Sequence, residues 1–549
     1  MGFMSKGASF ERCPSLFINA IVCLNFLPIP ISRMYLVDLY LPKLPVMKQN
    51  SKAGWVVLCL LLHWSSLLIA QTNANQPRLP NIVYIYADDM GYGELGCYGQ
   101  EKIKTPNLDR MAAEGMRFTQ HYTGMPVCAP ARCMLMTGKH SGHSYIRGNH
   151  ELGGFPDSAE RGQMPLADAE FTVAEMLKQK GYRTALVGKW GMGMNNTEGS
   201  PSRQGFDYYY GYLDQKQAHN YYPTHLWEND RWDSLHQPFI DVHRKLDPAT
   251  ATDEDFMSFT GNVYAPDRMT SKALAFIDKN KKNPFFLYLP YTIPHVSLQV
   301  PEKYVEIYKG RFEEKPYYGE KGYASTKYPL STYAAMITYL DEQVGIIMQK
   351  IKSLGLDDNT IIMFSSDNGT SFNGGVDANF FNSVAGLRGL KMDVYEGGIR
   401  MPFIARWPGK IKAGTTSDHI SAQYDLMATL AELTGQEAPP TDGISFLPEL
   451  LGQPDKQKQH PYLYFEYPEK GGQLAIRMGK WKAVKTNLRK EPGAPWQLYD
   501  LDNDWAETTD RAADYPELLP QFDEIVKREH RSSHLPHWNF AEKVISARK

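Results

Sequence analysis

At 549 residues the chain can hold one large domain or two, and 42% apolar with 22% charged residues excludes a disordered or fibrous class. A formal net charge of -2 supplies no field for nucleic acid as a main partner. Aromatics make up 12% of the residues and include 33 Tyr, a content that suits packed cores and sugar-ring surfaces alike.

The first elements in chain order are leader-like. Residues 1–46 hold an apolar patch and scattered prolines and read as an over-extended start. From Met47, Lys48 and Lys52 precede an apolar run from Trp55 to Ala70 that gives way to small and polar residues. That order reads as a signal peptide over 47–74, cleaved after Ala70 or Ala74. A membrane anchor is the alternative, because the run is near the lower length limit for spanning. The expectation is an exported chain, periplasmic, cell-surface or secreted, with no stable membrane span once mature. Cys13, Cys23 and Cys59 fall in the leader, leaving Cys97, Cys128 and Cys133, which is no disulfide framework. If Cys128 is chemically consumed, Cys97 and Cys133 can pair or stay free.

From about residue 80, apolar runs alternate with amphipathic helices. "NIVYIYADD" is a continuous apolar run ending in two carboxylates, as expected of a strand buried on both faces. In "EFTVAEMLKQKGYRTALVGKW", Thr172 and Glu175 have capping-box spacing, Gly181 stops the helix, and a strand follows. "KALAFIDKNKKNPFFLYLPY" repeats helix then strand. A long helix closed by Gly355 precedes another strand, "NTIIMFSSDNG". This alternation predicts an α/β domain over 75–455, built on a large, mostly parallel sheet flanked by helices. Past residue 455, three strand-like stretches and the helical "YPELLPQFDEIVKREH" predict a smaller antiparallel sheet-plus-helix subdomain over 456–549.

Polar residues collect where two of these strands end: Asp88 and Asp89 after the first, Asp367 and Asn368 after the later one. Ligands of open α/β sheets bind outside the carboxyl ends of the strands. Three carboxylates and an amide oxygen there would repel one another without a cation, and all-oxygen ligation favours Ca²⁺, or Mg²⁺, over zinc. Either pair alone is also what a cap or turn looks like; their joint placement carries the expectation. "PVCAPARCMLMTGKH" adds a helix start with Pro130 in its first turn, which puts Cys128 at the positive end of the helix dipole, where a thiolate is stabilised. Arg132 can reach the same spot, and its planar fork suits a tetrahedral oxyanion.

"CAPAR" followed by "MLMTGKH" resembles the signature of the type I, formylglycine-dependent sulfatases of the alkaline phosphatase superfamily. The resemblance extends through "NIVYIYADDMGYGELGCYG", "GYRTALVGKW", "IPHVSLQVPEKY", "FSSDNG" and "GLRGLKMDVYEGGIRMP", in order. It implies that a formylglycine-generating maturation enzyme oxidises Cys128 to formylglycine (3-oxoalanine), whose hydrate attacks sulfur. It implies one divalent cation held by Asp88, Asp89, Asp367, Asn368 and the modified residue 128. Asp367 would accept the nucleophile's proton, Arg132, Lys189, Lys391 and the cation would neutralise the sulfuryl oxygens, and His295 would protonate the leaving alcohol. A serine at 128 could form a sulfate ester but would lack the second hydroxyl that ejects it.

One position departs from the family pattern. Relatives carry a histidine beside the formylglycine where this chain has Gly191, in "GKWGMG". His143 and His219 are the candidates to fill that gap. The expected substrate is a sulfated mono-, oligo- or polysaccharide, of galactose or N-acetylgalactosamine type by resemblance only, with Arg147, Asn149, His219 and His225 as specificity residues. A phosphodiesterase or phosphonate monoester hydrolase of the same superfamily, and an inactive glycan-binding relative, are the competing expectations.

Overall fold

The computed structural model describes residues 78–152, 160 and 162–547, so the predicted leader and signal peptide lie outside the described residues. Strand β1 (Asn81–Asp88) is buried along its whole length. Val83, Ile85 and Ala87 enter one apolar cluster, and Ile82, Tyr84 and Tyr86 enter another. Alternate side chains point to opposite faces of a strand, so both faces of the sheet here are covered.

The remaining strands of this sheet are β2 (Met116–Tyr122), β3 (Arg183–Lys189), β4 (Tyr208–Tyr212), β5 (His225–Glu228), β6 (Arg231–Ser234), β7 (Phe285–Pro294), β8 (Thr360–Ser366), β9 (Arg400–Arg406), β10 (Thr415–Ser417) and β11 (Ser421–Ala422). Their order is β10-β2-β9-β8-β1-β7-β3-β4-β5-β6, with β11 also on β2. The run β8-β1-β7-β3-β4 is parallel, whereas β9 and the β5–β6 hairpin pair antiparallel at its flanks. The predicted mostly parallel sheet is therefore present, with antiparallel additions on either side.

Helix α1 (Cys128–Thr137) ends at Gly138 in the left-handed conformation. Helix α2 (Val173–Gln179) starts with the capping box read from Thr172 and Glu175. Helices α3 (Ala265–Asn280) and α4 (Pro329–Ser353) precede β7 and β8 as the alternation predicted. Among the described residues no helix is long and apolar enough to cross a membrane.

A second sheet joins β12 (Leu463–Tyr467), β13 (Gln473–Met478), β14 (Trp481–Lys485) and β15 (Gln497–Asp500) in an antiparallel meander. One face packs on helix α5 (Leu519–Glu529) through Phe522, Ile525 and Val526. The other packs Phe465, Ala475 and Val484 against Tyr122, Met134 and Ile399 of the catalytic part. At this junction the fully buried Lys482 ammonium lies 2.9 Å from Glu396 and 3.0 Å from Glu507. Nearby, the Gln473 side-chain amide donates to the Met392 carbonyl and accepts from the Val394 amide. The small subdomain thus holds the loop that carries Lys391.

Candidate active site

Register places the polar residues. Ala87 of β1 lies opposite Ser366 of β8, and Asp88 lies opposite Pro294 of β7. The carboxyl ends of three adjacent strands therefore deliver Asp88–Asp89, Asp367–Asn368 and His295 to one point. Asp89 has φ 64°, a left-handed conformation that a short polar side chain tolerates. The turn lets its amide donate to Asp367 Oδ1 at 3.0 Å. Lys189 ends β3, and α1 brings Cys128 to the same place on its first residue.

Cys128 Sγ lies 3.4 Å from Asp88 Oδ1, 3.9 Å from Asp89 Oδ1 and 3.6 Å from Lys391 Nζ. Lys189 Nζ pairs with Asp88 Oδ2 at 2.7 Å, and Lys391 Nζ with Asp89 Oδ2 at 2.8 Å. Arg132 is fully buried and donates through Nε (3.2 Å) and Nη2 (2.8 Å) to Asp367 Oδ2. Its Nη1 donates to the Lys189 carbonyl, and Tyr86 stacks beneath the guanidinium at 5.5 Å. The Arg132 fork is directed at Asp367 here, just as Lys189 and Lys391 are paired with Asp88 and Asp89.

The thiol expectation needs correcting. Burial, then the Asp88 charge, raises the Cys128 thiol well above its ordinary range, and Lys189 and Lys391 only partly oppose this. Burial and the neighbouring carboxylates thus oppose the helix dipole at this position. Burial also resists ionisation of Asp88, but Lys189 and Arg132 override it and hold that carboxyl below the usual range. Asp367 goes the other way, pushed up to about 7 by burial and by Asp88 against the pull of Arg132. Burial, then Lys391, lowers His295 to about 4.

The residues fit a hard cation. Asp88, Asp89, Asp367 and Asn368 are all fully buried or nearly so. Asn368 Nδ2 donates to Asp89 Oδ1 at 2.7 Å and to the Gly369 carbonyl, which fixes the amide orientation. Its buried Oδ1 then has no hydrogen-bond partner among the described residues. A buried acceptor without a donor is costly unless an ion or water meets it. Asp88, Asp89, Cys128 and His295 also bring one ligand atom each within 4.8 Å of one another. The oxygen-rich donor set is the one that suits Ca²⁺ or Mg²⁺.

Above this point opens a cleft of about 190 Å³, lined by Cys128, Lys189, His295 and Lys391 among others. Of the predicted specificity residues, Asn149 and His219 line it. His219 stacks on His295 with ring centroids 4.9 Å apart and 8° between planes. His143, Arg147 and His225 do not. His143 Nδ1 meets Asp442 at 2.9 Å, Arg147 is buried against the Ser144 and Gly142 carbonyls and Glu466, and His225 is buried beside Glu160 and stacked on Trp232. In each case a carboxylate distant in sequence claims the cation or imidazole. Cys97, Cys128 and Cys133 are free thiols, so the Cys97–Cys133 pair is not formed.

Among the described residues, Gln215 rather than a histidine lies nearest the side-chain position of Gly191. A Cβ at Gly191 would lie 2.9 Å from Gln215 Cγ, and Gly191 has φ +76°. Gln215 Nε2 donates to Asn149 Oδ1 at 3.3 Å, and the Ala129 amide, next to Cys128, donates to the same oxygen. Gln215 therefore occupies the space beside Gly191 and reaches the residue after Cys128 through Asn149. Sequence reasoning missed it, although it stands four residues before His219. Gly191→His is expected to lower stability by about 1–3 kcal/mol through the collision and the left-handed backbone. Thermal melting measures this, and adding Gln215→Ala should recover part of the loss.

Buried carboxylates, a hard-cation donor set and lysines beside one nucleophile-bearing helix start define a hydrolase of anionic esters. The chain belongs to the sulfatase family, of the alkaline phosphatase superfamily, and is a sulfuric ester hydrolase: the Sulfatase family profile matches residues 80–436. A second profile, "N-sulphoglucosamine sulphohydrolase, C-terminal", matches residues 390–530. The N-acetylgalactosamine-6-O-sulfatase of Bacteroides thetaiotaomicron is 30% identical over 518 residues, covering 84% of this chain and 94% of that protein. Arylsulfatase A of Homo sapiens is 33% identical over 441 residues, covering 76% and 77%. The crystal structure of Ps i-CgsB, also solved in complex with k-i-k-neocarrahexaose, superposes with a TM-score of 0.67 at 27% identity, covering 84% of this chain and 95% of that one.

Proposed function

We propose that the chain removes an O-sulfate group from a sulfated carbohydrate of galactose or N-acetylgalactosamine type, after a maturation enzyme has converted Cys128 to formylglycine. The observation that carries this reading is the convergence on Cys128 of two aspartates and Lys391, at the inner end of a cleft. The names of the Bacteroides relative and of the carrageenan-oligosaccharide complex support the sugar class. The signal-like segment at 47–74 supports export to the periplasm, cell surface or medium.

Asp88, Asp89, Asp367 and Asn368 would hold one Ca²⁺ or Mg²⁺. Bound beside the matured residue 128, that cation supplies charge neutralisation and, with that residue, the nucleophile. Lys189 Nζ and Lys391 Nζ would bind the sulfuryl oxygens. Arg132 keeps Asp367 oriented and charged enough to take a proton at Oδ1 or Oδ2. His295 lines the cleft and would hand a proton from its ring to the departing alcohol; an anion on Lys391 weakens the field that disfavours its protonation.

Release of inorganic sulfate from positionally defined galactose and N-acetylgalactosamine monosulfates tests the reading. Sulfate release well above the rate on matched phosphate mono- and diesters is expected. Faster turnover of a phosphodiester would transfer the protein to the phosphodiesterase branch.

A further inference from the structure

The cleft is lined by charges of both signs. Lys189 and Cys128 are almost fully buried at the inner end, with the Lys391 ammonium group beside them. The exposed Glu151 and Phe372 and the half-buried Glu469 line the same cleft. Glu151 is paired with Lys216 at 3.3 Å, which cancels much of its charge. Glu469 is different. Its Oε2 accepts from the Tyr467 hydroxyl at 3.0 Å and it forms no ion pair among the described residues; burial pushes its carboxyl up, while the Tyr467 hydroxyl, the Asn149 backbone and the charges of Arg489 and Lys391 pull the other way.

The fold keeps this carboxylate in place. Glu469 follows β12, so it is the small subdomain that contributes it to the cleft. A Cβ at Gly148 would lie 2.6 Å from Glu469 Oε1 and 3.0 Å from Trp538 Nε1. A side chain at 148 would have to displace the carboxylate from this position. A half-buried carboxylate accepts hydrogen bonds from sugar hydroxyls at little cost. It repels a second anion strongly, because the low local dielectric that favours a charge-assisted hydrogen bond also magnifies like-charge repulsion.

We propose that Glu469 restricts this sulfatase to sulfate esters on sugar units that bear no second negative charge, taking hydroxyls of a neutral ring and rejecting a uronate or a second sulfate. The inference rests on the sulfated-carbohydrate reading above and names the substrate class within it. Specificity here comes from a repulsive element as much as from an attractive one.

The test compares kcat/KM of the matured enzyme on a neutral galactose-type monosulfate with that on the same sugar carrying a second sulfate. Wild type should prefer the neutral unit by ~10-fold or more. Glu469→Gln should narrow the preference to within ~3-fold, and Glu469→Asp should keep most of it. A wild-type preference within ~3-fold overturns the inference without any variant, so it stands or falls even if Glu469→Gln does not fold. A folded Glu469→Gln enzyme that retains the full preference also overturns it. Sulfate release without preference defeats this inference alone; no release from either sugar defeats the sulfated-carbohydrate reading and this inference with it.

Discussion

Cys128→Ala is expected to lower kcat by roughly 10⁴-fold or more while leaving the fold intact. The two halves of that expectation have separate physical grounds. Activity falls because the variant has no atom from which the nucleophile can be made, whatever the aspartates and lysines around it still do. Stability holds because Sγ makes only long contacts, at 3.4 Å to Asp88 and 3.6 Å to Lys391, and burial keeps it an uncharged thiol. Removing it changes no ion pair, so a change within about 1 kcal/mol is expected from denaturant melts. Cys128→Ser sharpens the test. A hydroxyl at 128 can accept a sulfuryl group but has no second hydroxyl to expel it, so the serine variant should gain one sulfuryl in intact mass and stop. Turnover near wild type in either variant would remove residue 128 from the chemistry.

Much of the fold was legible because its central strands are buried on both faces. Such strands must be continuous apolar runs, and "NIVYIY" and "TIIMF" are that in the sequence, each ending in carboxylates at the ligand-binding edge. The capping box of α2 was legible because both partners are three residues apart. The antiparallel flanks were not, because β2 and β9 pair across nearly 300 residues (for instance Phe118 with Phe403) and no local pattern records a partner so far away.

The floor of the site was legible for the same reason as the strands: Asp88, Asp89, Asp367 and His295 are where β1, β8 and β7 end. The walls were not. Gln215, Tyr323 and Glu469 reach the cleft from loops, and Glu469 comes from the other sheet. Polar loop residues of this kind look alike in sequence, so His143, Arg147 and His225 were expected at the cleft alongside Asn149 and His219. What separates them is whether Asp442, Glu466 or Glu160 lies within reach, which only the folded chain decides.

Chelation by EDTA is expected to abolish turnover of the matured enzyme without unfolding it, with Ca²⁺ or Mg²⁺ restoring it. The apo protein should stay folded because three buried carboxylates, Asp88, Asp89 and Asp367, already face three cations, Lys189, Lys391 and Arg132. That balance is also why it should be inactive: without the cation, both lysine ammonium groups are spent on Asp88 and Asp89 rather than on a sulfate ester. A bound divalent cation would add two positive charges to this cluster and would give Asn368 Oδ1, a buried oxygen with no hydrogen-bond partner among the described residues, something to meet. Binding to the native state alone stabilises it by about 2.7 kcal/mol at a concentration 100 times Kd, so the chelated protein should melt about 3 °C or more lower than the loaded one. Asp89→Asn removes a charge from the donor set while keeping its shape, and should weaken the ion by at least ~100-fold in a titration followed by melting temperature. Melting that ignores Ca²⁺ and Mg²⁺ but responds to Zn²⁺ would reject the hard-cation assignment, independently of whether residue 128 has been matured.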